Sequence, residues 1–265
     1  MSLLPIALIL GLVEGVTEFL PVSSTGHLIL VSHALSFSGR RAQVFEIFIQ
    51  LGAILAVVWE YRRLLFHLAG DVVRNSKDRA FAARLLLAFA PAAVVGVALH
   101  EFISSTLFGP RTVAGALVAG AIAIFVIEAR SPTPRTSDPR AVDTGQALLI
   151  GMSQCVSLWP GFSRSAATIL GGMVAGLDRR AATEFSFLLA IPTMLGATVF
   201  ELYRHHDWLE AGDGSALLLA CAISFLVAWA SLRWLLHYVA SHDLRPFAWY
   251  RLALGVVVLF LLRGR

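Results

Sequence analysis

Two short stretches carry most of the reactive side chains of an otherwise apolar chain. The first reads EGVTEFLPVSSTGH, from Glu14 to His27. Glu14 and Glu18 stand one helical turn apart and share a face. Ionised carboxylates are costly in hydrocarbon and mark a function, a wet cavity or a partner. The pair suits a divalent cation held by oxygen ligands, or a proton retained on one member; the competing reading is a structural ion pair. After Pro21, the run Ser23, Ser24, Thr25, Gly26, His27 offers three hydroxyls and an imidazole. Such a turn can present backbone N–H groups to an anion, with His27 near enough to a hydroxyl to serve as its base. The competing reading is a polar turn capping a half helix, with His27 hydrogen-bonded in the core.

The second stretch reads PGFSRSAAT, from Pro160 to Thr168, and sets Arg164 between Ser163 and Ser165 with apolar sequence on both sides. An arginine there requires an anionic partner. Its planar fork suits a phosphate or carboxylate, and the hydroxyls of Ser163, Ser165 and Thr168 can complete an anion cradle. A bridge from Arg164 to Glu14 or Glu18 is the structural alternative, and the two hold in turn if substrate opens the bridge. Glu46, Gln50, Glu184 and Ser186 are weaker signals near the starts of spans. Arg233, His237 and Arg251 are expected at the membrane interface, and His67, His100, His205 and His206 beside loops. There is no GxxxxGK[ST] and Lys77 is the only lysine, which argues against an ATP-driven pump.

The elements that position these residues follow from composition. With 57% hydrophobic and 14% charged residues and a mean hydropathy of +0.76 over 265 residues, charge is too sparse to cover a soluble surface, so the bilayer is the solvent. The net charge of +4 comes from basic residues that flank apolar runs, so nucleic acid is not an expected partner. Cys155 and Cys221 lie in apolar stretches and support neither a disulfide framework nor a cysteine metal site. The start, MSLLPIALILGLVEG, lacks a basic region and a cleavage site and reads as mature structure.

Six segments approach the roughly 20 apolar residues of a full span: 44–60, 85–103, 112–128, 183–203, 215–239 and 247–262. Regions 3–34 and 145–176 are interrupted near their middles and read as re-entrant pairs of half helices, since broken backbone survives at membrane depth only in protein or beside a wet cavity. The loops 61–84 and 129–144 are the long ones. Twelve Lys and Arg flank the side of the 61–84 loop against six on the other, including Arg263 and Arg265, which places that loop in the cytoplasm and both termini outside.

An offset of 140 residues aligns Gly11 with Gly151, Ser23 with Ser163, Thr25 with Ser165, Ile29 with Ile169 and Leu30 with Leu170. The expected fold is therefore an all-α polytopic membrane protein, one domain over 1–265, built as an inverted-topology repeat of units 1–140 and 141–265. Each unit holds a re-entrant pair followed by three transmembrane helices, and the odd number of crossings inverts the second. Residues 14–27 and 154–168 then face each other near the midplane.

EGVTEFLPVSSTGH, the FEIFIQLGAILAV beginning at Phe45, PGFSRSAAT, and the EFSFLLAIPTMLGAT beginning at Glu184 closely resemble the undecaprenyl pyrophosphate phosphatase (bacitracin-resistance) family, over nearly the whole length. One departure is Ala166, where the family usually has Gly. The resemblance implies a bacterial inner-membrane enzyme, dependent on a divalent cation, Mg²⁺ or Ca²⁺. It would hydrolyse undecaprenyl pyrophosphate to the monophosphate at the extracytoplasmic face, recycling the lipid carrier of peptidoglycan synthesis and conferring bacitracin resistance. It carries catalytic roles to Glu14, Glu18, Ser24, His27 and Arg164, with Ser23, Thr25, Ser163 and Ser165 as neighbours.

On that basis Glu14 and Glu18 hold the metal, Arg164 with Ser163, Ser165 and Thr168 clamps the pyrophosphate, and His27 acts as base; the nucleophile is Ser24 or a metal-bound water. The expected partners are the polyprenyl pyrophosphate lipid and the bilayer, with a homodimer as the candidate assembly. The rival class is a polyprenyl-phosphate transporter or flippase that uses the same inverted-repeat site.

Overall fold

The computed structural model describes residues 3–71, 75–130, 133–205 and 213–261. His206, Arg263, Arg265 and the last residue of the 247–262 segment lie outside these. The described residues form twelve α-helices and no strand: α1 Leu3–Thr17, α2 Ser24–Ala34, α3 Arg40–Glu60, α4 Arg62–Asp71, α5 Ser76–Ala98, α6 His100–Phe102, α7 Pro110–Arg130, α8 Thr144–Cys155, α9 Arg164–Val174, α10 Arg179–His205, α11 Gly214–Val239 and α12 Arg245–Leu261. Five of them, α3, α5, α7, α10 and α11, are long and apolar enough to cross a membrane. The chain is a polytopic helical membrane protein.

Two local features differ from the sequence reading. The basic 61–84 loop is largely helical: α4 occupies Arg62–Asp71, and α5 starts at Ser76 rather than near 85. The Asn75 side chain caps α5 by accepting from the Lys77 N–H at 3.0 Å. Helical backbone needs no apolar side chains, so α5 runs past the segment that hydropathy marks. Arg251 is the second difference, for it is fully buried rather than interfacial.

Helix contacts set the frame for the two breaks. α1 packs along α11, and α8 along α5. At Gly11 an added Cβ would stand 2.7 Å from the Ala220 carbonyl oxygen, and at Gly151 2.5 Å from that of Ala88, so glycine alone permits either approach. α3 lies between α11 and α10, and α12 pairs with α7. The central core gathers Phe19, Phe185, Phe187, Ile169 and Leu232 between these layers.

Candidate functional site

Both breaks are built alike. α1 ends at Thr17 and α8 at Cys155; a proline follows each, Pro21 and Pro160, and a short helix then begins. Ser23 and Ser163 are the N-caps of α2 and α9, with φ of 72° and 76°. Non-glycine residues rarely hold positive φ, and such strain concentrates at functional turns. The Ser23 Oγ accepts from the Gly26 N–H at 3.3 Å, and the Ser163 Oγ from the Ala166 N–H at 3.2 Å. Two helix N-termini, each with a partial positive charge, thus open on the turns.

Three sets of contacts tie one break to the other. Arg164 donates through Nη2 to Glu18 Oε1 at 3.1 Å, both side chains being about nine-tenths buried. Ser165 Oγ donates to the Leu20 carbonyl at 3.0 Å. Arg251, from α12, donates to the carbonyls of Pro21 at 3.2 Å and Gly161 at 3.1 Å, and to those of Ala116 and Leu117 on α7. Sequence reasoning missed this arginine because its partners are backbone oxygens, which leave no side-chain signature.

A cavity of about 550 Å³ lies against the junction. Glu18, Ser23, Ser24, Thr25, Ser163 and Arg164 line it, together with apolar side chains such as Phe89, Val97, Phe108 and Phe200 and a few further polar ones, His100 and Glu201 among them. Within it, Ser24 Oγ donates to Glu18 Oε2 at 2.6 Å. Glu18 therefore receives a hydroxyl on one oxygen and a guanidinium on the other. Arg164 also donates to the Ser186 carbonyl at 3.3 Å, while its Nε is buried without a partner. Gln50, Gln154 and Thr193 also line this cavity; Gln50 is a weaker signal in the sequence and residue 154 opens the second facing stretch, whereas Thr193 is only a scattered polar residue in a span.

The remaining expected site residues lie outside the lining. Glu14 is fully buried and neither carboxylate oxygen has a hydrogen-bond partner. Ser165 and Thr168 are buried, and Thr168 hydrogen-bonds the Ser186 hydroxyl at 2.5 Å. His27 lies with Nδ1 2.8 Å from the Ser23 carbonyl and Nε2 2.6 Å from the Tyr250 hydroxyl. A carbonyl only accepts, so Nδ1 carries the proton and, in the neutral ring, Nε2 accepts from Tyr250. The imidazole stacks on the Tyr250 ring at 5.5 Å, and the hydroxyl it meets is that of Tyr250, not Ser24.

Against this geometry, the model of the bacitracin resistance protein BacA family matches residues 7–257. The chain belongs to that family. Among BacA-like relatives it is 49% identical over 258 residues to an undecaprenyl-diphosphatase of Acinetobacter baumannii (strain AYE), covering 96% of this chain and 93% of the relative. It is 49% identical over 253 residues to the undecaprenyl-diphosphatase of Methylococcus capsulatus, with the same coverage. Over 253 residues it is 47% identical to undecaprenyl-diphosphatase 1 of Stutzerimonas stutzeri, covering 96% and 92%. Both breaks, and nearly all of the BacA-family helical frame, fall inside the matched region.

Proposed function

We propose that this protein hydrolyses undecaprenyl pyrophosphate to undecaprenyl phosphate and inorganic phosphate, from a site that opens to the extracytoplasmic face of the bacterial inner membrane. The observation that carries the reading is the Ser24–Glu18–Arg164 chain across the two breaks, inside a cavity that also has a large apolar lining, Phe89, Val97, Phe108 and Phe200 among it. The apolar part gives the isoprenoid a lipid-like wall, whereas removing the tail to water would cost about 0.8 kcal/mol per CH₂.

Arg164 and the N-termini of α2 and α9 would bind the terminal phosphoryl oxygens and stabilise the charge that spreads over them. As Arg164 turns to the phosphate, Glu18 loses its cationic partner and becomes a better proton acceptor. Ser24 Oγ then attacks the terminal phosphorus, its proton passes to Glu18, and the P–O bond to the lipid phosphate breaks. Water releases phosphate from Ser24 in a second step. The same Glu18 could instead draw the proton from an attacking water, and trapping labelled phosphate on Ser24 separates the two routes. His27 holds the first break through Ser23 and Tyr250 in the resting arrangement.

A divalent cation fits the donor set: the two unpartnered oxygens of buried Glu14 and the adjacent Glu18 carboxylate are hard ligands suited to Mg²⁺ or Ca²⁺. When bound, it would neutralise pyrophosphate charge. The test is phosphate release by detergent-purified protein, with and without chelator, beside Glu18→Gln and Arg164→Ala. We expect metal-dependent release in the wild type and a loss on the order of a thousandfold in each variant. No release from folded wild type would leave lipid transport, the reading that needs no bond cleavage, as the function of the site.

A further inference from the structure

Among the described residues Arg251 is the largest fully buried side chain, and its described hydrogen-bond partners are four carbonyl oxygens and no carboxylate. A guanidinium stays charged, so this is a fully buried cation whose described hydrogen-bond partners are all backbone dipoles. Such a group is costly to keep if helix packing is all it provides, because apolar residues of similar volume can fill the same space. Its four acceptors are not scattered. Pro21 precedes Ser23 by two residues in the first break, Gly161 precedes Ser163 by two in the second, and Ala116 and Leu117 belong to the helix that pairs with α12. Gly120, one turn along α7, completes the pocket: a Cβ there would collide with the guanidinium.

We propose that Arg251 is a positioning residue that fixes the two breaks in register, so that Ser24 and Glu18 from one meet Arg164 from the other. The proposal rests on the reading of the cavity given above and deepens it. Matching carbonyls, two residues before each strained N-cap serine, are held by one planar fork. A shift of either break along its helix axis would break an Arg251 bond and lengthen the Glu18–Arg164 contact. The ring of Phe162, 5.8 Å from the guanidinium centre, holds the fork from a further side. Its positive charge, solvated by carbonyls but met by no described carboxylate, also raises the potential at the turns where the pyrophosphate would sit, without touching it.

The experiment compares Arg251→Lys, Arg251→Met and Gly120→Ala with wild type in detergent, scoring kcat and KM per folded molecule, with the folded fraction taken from gel filtration and thermal unfolding. Lysine keeps the charge but cannot span four carbonyls, whereas Gly120→Ala keeps Arg251 and displaces its fork. A positioning role predicts that Arg251→Lys and Gly120→Ala each lose about thirtyfold or more in kcat, with KM changed less than about threefold. Added guanidinium ion should restore part of the Arg251→Met rate and none of that of Arg164→Ala. A normal kcat per folded molecule in Arg251→Lys and Gly120→Ala, with only thermal stability lowered, would overturn the proposal. Absence of phosphate release from wild type would instead strike the hydrolase reading itself.

Discussion

Glu18 divides its two oxygens between a hydroxyl 2.6 Å away and a guanidinium 3.1 Å away, whereas His27 spends both ring nitrogens on the Ser23 carbonyl and the Tyr250 hydroxyl. On the proposed mechanism the first contact places Glu18 to take the Ser24 proton, while the second set joins His27 to the turn and to α12. Replacing Tyr250 with Phe removes one hydrogen bond worth about 1 kcal/mol, so kcat should fall about fivefold with the fold intact. Turnover of the purified variant checks this; an unchanged rate would show that Tyr250 does not orient His27. Glu18, Ser24 and Arg164 were legible in the sequence because polar groups inside apolar runs are conspicuous. Tyr250 was not, since an aromatic residue near a membrane boundary is ordinary and its partner lies 223 positions away.

At the scale of elements, the interruptions at Pro21 and Pro160 were readable because proline and clustered hydroxyls end helices, and the helices resume at Ser24 and Arg164. α4 and the first turns of α5 were hidden, because Arg62, Arg63, Lys77 and Arg79 give a helix no apolar signature. Gly11 and Gly151, aligned by the 140-residue offset, both meet a carbonyl of a partner helix, Ala220 on α11 and Ala88 on α5. Valine at either position must push those helices apart, and overpacking of this kind costs about 1–3 kcal/mol or more. Thermal unfolding in detergent should show a lower midpoint for Gly11→Val and Gly151→Val. Equal stability in both would mean that the close approach is not maintained in the protein.

At the scale of the whole molecule, the basic residues Lys77, Arg79 and Arg84 come first along α5 and the cavity-lining Phe89, Ala92, Gly96 and Val97 follow, so that Lys77 and Val97, twenty residues apart, are separated by about 30 Å along the helix. On the proposed orientation the basic end lies in the cytoplasm and the cavity opens outward. In a background lacking Cys155 and Cys221, a membrane-impermeant maleimide should label Ser104→Cys in intact spheroplasts, and Ser76→Cys only after permeabilisation. The reverse pattern would invert the proposed orientation. The charge count along the chain carried this expectation, while side-chain burial says nothing about sidedness, because a helix bundle is equally stable either way up.

The Glu18–Arg164 bridge pairs the carboxylate and the guanidinium that the two breaks bring to the resting pocket. A small soluble anion that enters must break it with phosphate contacts alone, whereas a lipid-linked pyrophosphate brings apolar surface to the walls as well. On the proposed function, the bridge would act as a filter against the nucleotides and free pyrophosphate that share the charged group but lack the tail. Competition assays should show millimolar pyrophosphate or nucleoside diphosphate inhibiting poorly, and Glu18→Gln, by dissolving the bridge, binding both more tightly.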